Sequence, residues 1–339
     1  MKLLVTGGAG YIGSHTAHQL VDAGHEIVVL DNLYSGHRWA VPAKAEFVEG
    51  SVGSRALIDS LLSQKRFDGV LHFAAHTEVG ESVTNPAKYY RNNTVAALEL
   101  FDACVTFGVP RLVFSSTAAV YGDSTSIRLE ESEPLAPVNP YGASKMMSER
   151  LLRDIAAGSD GALKFVILRY FNVAGARLDQ RIGQATPRAT HLIKVAAETA
   201  MGLHESVIIH GTDYPTKDGT CLRDYIHVED LAKAHLDALG YLQRGGHSDV
   251  FNVGYGRPYS VREVINTMKR VSGVDFRVVD GPRRPGDPVG VAADSTKIKR
   301  VLGWTPQHDS LELICQSAWN WEKTLPSKLK TTAKTSIAR

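Results

Sequence analysis

The sequence predicts an α/β protein: a doubly wound, parallel Rossmann-like sheet carrying a smaller mixed α/β lobe. Three observations predict it. A glycine-rich turn, Gly7 to Gly13, joins an apolar run to a helical pattern at the very start of the chain. From there to about residue 175, short apolar runs alternate with helical periodicities, the pattern of parallel strands joined by crossover helices. Beyond about 175 the alternation breaks up and Gly and Pro thicken, as in a lobe built largely on loops.

Leu3-Leu4-Val5 is the first buried strand and His15 to Ala23 the first helix. Between them Gly8, Gly10 and Gly13 fit G-x-G-x-x-G, and Gly7, Gly10 and Gly13 fit G-x-x-G-x-x-G equally well. Glycine permits the tight turn, lets backbone N–H groups approach a diphosphate, and lets helix and strand pack closely. The anion then sits at the positive end of the helix. A second strand, Glu26 to Leu30, ends in Asp31. That carboxylate lies about 20 residues beyond the glycines, where one accepts from a ribose hydroxyl. Turn and acid together predict a dinucleotide site. Asp31 favours NAD over NADP because it would repel a 2′-phosphate, although His37 and Arg38 follow close by.

Val70 to Ala74, Arg111 to Phe114 and Lys164 to Leu168 read as further strands, with helices over Asn92 to Phe107 and Tyr141 to about Ala157. Ligands of such sheets lie beyond the carboxyl ends of the strands. Gly7–Gly13, Asp31, Phe73–Ala75, Ser115–Thr117 and Phe171–Asn172 all fall there. Past 175 the helices are Thr190 to Met201, Val228 to Tyr241 and Ser260 to Ser272. Short strands cover Ser206 to His210 and Phe276 to Val279, with loops at 174–188, 211–224 and 280–290. Val250 to Val253 reads as a strand returning to the main sheet. The expected division is 1–175 for the dinucleotide domain, with elements returning from about 225–258, then 176–327 for the smaller lobe. Residues 328–339 are basic and aperiodic and read as a frayed tail.

The 339 residues are enough for one large or two modest domains, and 43% hydrophobic with 22% charged residues excludes wholesale disorder. A net charge of +2 gives no global pull toward nucleic acid or membrane. No apolar run is long enough to span a bilayer and no signal-peptide pattern opens the chain. Cys104, Cys221 and Cys315 have neither metal nor disulfide spacing and read as reduced thiols of a cytoplasmic protein. The histidines form no metal-ligand spacing, and His72, His210 and His227 read as structural.

Chemistry enters with Tyr141-Gly-Ala-Ser-Lys145. On a helix, residues four apart share a face. The ammonium is expected to favour phenolate and lower the tyrosine pKa toward working pH. Lys145 is also placed to hold nicotinamide ribose hydroxyls. Ser116 or Thr117, at a strand end, is placed to share the proton path or orient a substrate hydroxyl.

These segments, with Asp31-Asn32, His72-Phe-Ala-Ala75, Val79-Gly-Glu-Ser82, Val120-Tyr-Gly122, Arg169-Tyr-Phe-Asn172, Arg223-Asp-Tyr-Ile-His227 and Arg283-Arg-Pro-Gly-Asp287, resemble the extended short-chain dehydrogenase/reductase superfamily. Within it the chain is similar to the NAD-dependent epimerase/dehydratase family, and the run from Asp213-Tyr-Pro-Thr216 through Asp218-Gly-Thr220 is particular to its UDP-sugar 4-epimerases. The resemblance runs to about residue 322. It implies interconversion of UDP-galactose and UDP-glucose: Tyr141 takes the proton from the 4-hydroxyl, NAD takes hydride from C4, the 4-keto sugar turns over, and both return to the other face.

By the same resemblance Thr117 bonds the reacting hydroxyl. NAD contacts fall on Gly7, Gly10, Tyr11, Ile12, Gly13, Asp31, Asn32, Ser51, Val52, Phe73, Ala74, Ala75, Asn92, Ser115, Tyr141, Lys145 and Tyr170. Substrate contacts fall on Asn172, His191, Leu192, Arg223, Arg284, Asp287 and Val291, in addition to Thr117 and Tyr141. A homodimer joined through the Asn92–Phe107 and Tyr141–Ala157 helices is implied, although the apolar positions of those helices serve equally to pack on their own sheet. Two positions depart from the pattern. Thr77 stands where some epimerases have a lysine on the cofactor phosphates, and Ser51 where many have Asp near the adenine; both suggest a changed grip on NAD. Val291 stands where a bulky Tyr blocks N-acetylated sugars, so acceptance of UDP-N-acetylglucosamine is expected.

Rival readings have discriminators. A dehydratase of the same family needs an acid and a base directly after the Thr, where this chain has Ala118-Ala119, and a UDP-glucuronate decarboxylase carries Glu there. A net dehydrogenase would consume external cofactor. A non-enzymatic sugar or NAD sensor would not need Thr117, Tyr141 and Lys145 intact. Epimerisation mainly of UDP-N-acetylglucosamine, UDP-xylose or UDP-glucuronate is the alternative within the same chemistry.

Overall fold

The computed structural model describes residues 1–124, 126–187, 190–284 and 287–337, with side chains through Leu329. In chain order the first half runs β1 (Lys2–Thr6), α1 (Tyr11–Asp22), β2 (Glu26–Asp31), β3 (Glu46–Glu49), α2 (Arg55–Gln64), β4 (Gly69–His72), α3 (Val79–Thr84), α4 (Pro86–Tyr89), α5 (Ala96–Thr106), β5 (Arg111–Thr117), β6 (Arg128–Leu129), α6 (Pro140–Gly158) and β7 (Lys164–Tyr170). The second half runs β8 (Asn172–Ala174), α7 (Leu192–Ala200), β9 (Val207–His210), β10 (Leu222–His227), α8 (Val228–Gln243), β11 (Asp249–Val253), β12 (Pro258–Ser260), α9 (Val261–Ser272), β13 (Val278–Gly281), β14 (Gly290–Ala293), α10 (Thr296–Leu302) and α11 (Leu311–Ile337).

Seven strands form one parallel sheet in the order β11-β7-β5-β4-β1-β2-β3. The inner strands are buried on both faces, so they read as continuous apolar runs rather than alternations, whereas the edge strand β3 is not. One face packs on α1 and α8, through Leu20, Leu231 and Ala238 among others; the other packs on α2, α5 and α6, through Ile58, Leu100, Phe101 and Leu152. Strand order reverses at β1, since β2 lies on one side of it and β4 on the other. The crevice beyond their carboxyl ends is where such a sheet takes its ligand. Asp249–Val253 forms the outer edge of this sheet, pairing with β7.

The remaining strands build the second lobe. β12, β10, β14 and β6 form one sheet, β8 pairs with the far end of β10, and β9 pairs with β13. β8 follows β7 after one residue, so the main sheet passes directly into the lobe. Helix α9 is fixed by a capping box, in which Ser260 and Glu263 satisfy each other's backbone N–H groups, and it ends at Gly273 in the left-handed region.

Beyond shifts of a few residues at element ends, as where the first helix opens at Tyr11 and the strand read from Phe276 runs over Val278–Gly281, three differences from the sequence reading have a plain physical cause. Val70–Ala74 ends as a strand at His72, because Phe73–Ala75 leave the sheet to line the crevice. The helix expected from Asn92 begins at Pro86, a favoured first helical residue, and passes through a π turn at Tyr90–Val95 into α5. Residues 328–337, read as a frayed tail, continue α11 to Ile337. Lys, Ala and Thr without Gly extend a helix whose preceding turns are anchored by Trp319, Trp321 and Leu325. Ala338 and Arg339 lie outside the described residues, as do Thr125, Arg188, Ala189, and Pro285 and Gly286 within the 283–287 motif.

Candidate active site

The glycine turn closely approaches the segment that follows β4. Gly7 has φ 72°, and a Cβ there would stand 2.5 Å from the Ala74 nitrogen. A Cβ on Gly13 would stand 2.2 Å from the Gly7 carbonyl oxygen, so α1 packs directly on the turn. Helix α1 opens at Tyr11, Ile12 and Gly13 with no side-chain cap on its N-terminus. Its first N–H groups are therefore available to an anion. Asp31 is buried at the end of β2 and accepts the Ala9 N–H at 2.9 Å and the Leu33 N–H at 2.8 Å. A carboxylate retains acceptor capacity beyond two such bonds. Burial raises the Asp31 pKa, and the two backbone donors work against that rise. The uncapped helix, the glycine cradle and the buried acid together fit NAD.

Phe73, Ala74 and Ala75 follow β4 into the crevice, with the Phe73 ring centroid 4.7 Å from that of His235. Asn32 bonds the Tyr34 N–H, and Ser51, which is exposed, bonds the Gly53 N–H beside buried Val52. Thr77 is exposed. At the same corner Lys88 donates to the Tyr34 hydroxyl at 2.7 Å and to Glu81 at 2.6 Å, joining the loop after β2 to α3 and α4. Asn92 lies in the π turn and donates to Asn93. Sequence reasoning missed Asn93. Its amide accepts from the His76 N–H and donates to the His76 carbonyl and to Ser144 Oγ, which locks the crevice loop to α6.

Tyr141 and Lys145 occupy the first turns of α6, whose start is set by Asn139 accepting the Gly142 N–H at 2.9 Å and by Pro140 at the first helical position. Both side chains are buried. The expected lowering of the phenol pKa is not what the structure gives. Burial raises the Tyr141 pKa, and a hydrogen bond with Thr117 opposes the rise. Burial likewise pulls Lys145 down to about 7, with Glu149 opposing. Both shifts have one cause: neither charge is favoured in a dry site. The Lys145 ammonium lies 4.4 Å above the Phe114 ring.

The three hydroxyls that end β5 separate. Thr117 meets Tyr141 and also accepts the Ala119 N–H at 3.1 Å. Ser115 Oγ lies 2.8 Å from His235 Nε2 and bonds Tyr170, whose phenol burial pushes upward in pKa. Ser116 turns to Glu149, donating at 2.6 Å, so Thr117 rather than Ser116 stands at Tyr141. His72 is buried 2.6 Å from Thr6 Oγ1, and burial holds it neutral with a pKa of about 3. His227 caps α8 by accepting the Glu229 N–H and is likewise held near 3.

On the lobe side, Asn172, His191 and Leu192 line one cavity with Gln184 and Tyr225. Arg223 lies on β10 in register with Val291 on β14. Its Nη2 is 3.3 Å from Asp287, which also accepts from Arg284 at 3.2 Å. Two guanidiniums thus flank one carboxylate at the mouth of the lobe. Val291 packs half-buried against the cluster of Val120, Tyr121 and Phe171. His210, at the end of β9, has its pKa lowered by burial and then by Arg284.

A doubly wound sheet whose reversal point carries a dinucleotide turn, with a buried Thr-Tyr-Lys set beside it, defines an NAD-dependent enzyme acting on a hydroxyl group. The chain belongs to the NAD dependent epimerase/dehydratase family, whose model matches residues 3–254. Its relatives over nearly the whole length include UDP-glucose 4-epimerases: that of Azospirillum brasilense is 53% identical over 324 residues, covering 96% of this chain and 92% of the relative. Among solved structures, the UDP-glucose 4-epimerase of Brucella ovis in complex with NAD is 40% identical with a TM-score of 0.91, covering 95% of this chain and 98% of that one. The UDP-Glc/GlcNAc 4-epimerase of Campylobacter jejuni is 51% identical with a TM-score of 0.85, covering 95% and 99%.

Proposed function

We propose that the chain interconverts UDP-galactose and UDP-glucose by inverting C4 of the sugar while NAD stays bound. The observation that carries the reading is the buried Thr117–Tyr141–Lys145 set at the crevice, followed by Ala118 and Ala119. Alanine moves no proton, so the water loss of a dehydratase has no acid or base there. NAD, when bound, supplies hydride acceptance and return at C4. Tyr141 removes the proton of the 4-hydroxyl and later restores it on the other face. Thr117 orients that hydroxyl, and Lys145 holds charge beside the phenol. Arg223 and Arg284 bind the diphosphate through planar donor forks, and Asp287 accepts from the uridine ribose. Asn172, His191 and Leu192 line the nucleotide-sugar side. The test is turnover of UDP-galactose by purified protein with no NAD added. Formation of UDP-glucose is expected; silence both without and with supplied NAD overturns the reading.

Substrate breadth follows from Val291, which leaves room that a tyrosine would fill. The wild type is expected to turn over UDP-N-acetylglucosamine. Val291→Tyr is expected to lose that activity at least tenfold while keeping UDP-galactose turnover within a few-fold, a steric difference of about 1–3 kcal/mol. Product analysis on both substrates checks it, and equal losses on the two would place Val291 outside the selective wall.

A homodimer is part of the same proposal. The inner faces of α5 and α6 pack on their own sheet through Ala97, Leu100 and Leu152, yet Val95, Leu98 and Met147 remain exposed around them. Exposed apolar side chains on neighbouring helices support a subunit contact. Sedimentation equilibrium is expected to give a dimer mass at micromolar concentration, and Leu98→Glu with Met147→Glu is expected to shift it to monomer. Placement in the cytoplasm is supported by three buried cysteines that are free thiols.

A further inference from the structure

Behind the Tyr141–Lys145 face, α6 carries a third buried ionisable group that the proton transfer does not use. Glu149 lies four residues beyond Lys145 and eight beyond Tyr141, on the same side of the helix. Its side chain is 1% exposed and that of Arg169, its buried ion-pair partner, is 2% exposed; the half-exposed Arg153 of the next turn also stands 3.8 Å from Oε2. A carboxylate this deep requires full pairing and hydrogen bonding. Glu149 has both. Arg169 donates through Nε at 2.9 Å to Oε1 and through Nη2 at 2.5 Å to Oε2, and Ser116 Oγ donates to Oε1 at 2.6 Å. Arg169 is held in turn by the Tyr121 phenol at 3.1 Å, which itself donates to Asn252 at 2.6 Å. The carboxylate is therefore fixed from β5 and β7 and cannot swing away from α6.

We propose that Glu149 is a positioning residue for the epimerisation: its anchored carboxylate keeps Lys145 in the ammonium form and so keeps Tyr141 able to release and recover its proton. The inference rests on the assignment of Tyr141 and Lys145 as the proton-transfer pair. Burial disfavours the ammonium, and Glu149 is the charge that acts against that burial. Among the described residues, the other groups around Lys145 do not supply a charge. Phe114 presents a ring from β5, His72 on β4 is held neutral, and Tyr141 and Tyr170 are phenols that burial keeps protonated. Arg169 pairs with Glu149 and reaches beyond it to the Tyr121 phenol and the Glu131 carbonyl.

A merely structural ion pair predicts a loss of stability on substitution with an unmoved pH profile. A positioning role predicts a moved one. Lys145 must be protonated, so activity is present below its pKa and lost as pH rises through it; removing the Glu149 charge lowers that pKa. In the NAD-loaded enzyme, Glu149→Gln is expected to move the alkaline limb of kcat down by about one pH unit, so that kcat well above the limb falls about tenfold. The KM for UDP-galactose and the NAD content per subunit are expected within twofold of wild type. Glu149→Asp is expected to recover part of the shift. Because Glu149→Gln strands Arg169, the same profile is measured on the double variant Glu149→Gln/Arg169→Met, which removes the unpaired guanidinium. A moved limb in either folded variant supports the proposal. Folded variants with the wild-type limb, or with a loss uniform across pH, overturn it. Tyr141→Phe, run alongside, separates this outcome from failure of the Tyr–Lys assignment: undiminished turnover there removes the pair itself.

Discussion

Tyr141→Phe is expected to lower kcat for UDP-galactose by about 10²–10⁴ while the protein keeps its NAD. That factor corresponds to roughly 3–5.5 kcal/mol of transition-state stabilisation. The size follows from what the substitution removes. Tyr141 is only 7% exposed, and phenylalanine retains the ring that fills the site, so packing along α6 is preserved. Thr117 keeps a partner after the change, because its Oγ1 still accepts the Ala119 N–H. What disappears is the phenol hydroxyl to which the proposed function gives the proton exchange with the sugar. Burial raises the phenol pKa, so much of the wild-type rate depends on the charges around it. The measurement is single-substrate turnover together with the cofactor absorbance ratio of the purified variant. Turnover within a few-fold of wild type would remove Tyr141 from the mechanism; loss of NAD along with activity would make it a binding residue instead.

What the sequence made legible is what local pattern carries. The Gly7–Gly13 turn, the strand into Asp31 and the four-residue spacing of Tyr141 and Lys145 each lie within one strand-turn-helix unit or one helix, and the structure brings them to one crevice. What stayed hidden depends on partners far along the chain. Glu149 meets Arg169 from β7 and Ser116 from β5, and Asn93 meets Ser144 across 51 residues. No periodicity encodes such pairings. The Ser115-Ser116-Thr117 triplet was only half legible. Strand alternation separates Ser116 from its neighbours, but which hydroxyl reaches Tyr141 depends on where α6 docks. The phenol pKa was misjudged for a similar reason: spacing places Lys145 beside Tyr141, whereas burial of both groups, a tertiary property, sets their charges.

Asp31→Ala is expected to weaken NAD binding by at least about 100-fold, so that the purified variant carries little cofactor and epimerises only with NAD supplied. Two ribose hydroxyls donating to a carboxylate form charge-assisted bonds worth about 1.5–3 kcal/mol each. The alanine also strands the Ala9 and Leu33 N–H groups, which the carboxylate now satisfies. Leu33 is held at φ 56°, a conformation that a branched residue adopts only under constraint, and Asp31 is part of that constraint. Asp31→Ala therefore mixes lost cofactor contact with a loosened turn. Asp31→Asn separates them. Its amide oxygen still accepts from one backbone N–H and the residue keeps its shape, so the turn is largely preserved while the charge is gone. Weakening by Asn close to that by Ala assigns the effect to the ribose contact. Weakening by Ala alone assigns it to the turn, and retention of NAD by both, read as cofactor per subunit after gel filtration, would remove Asp31 from the binding site.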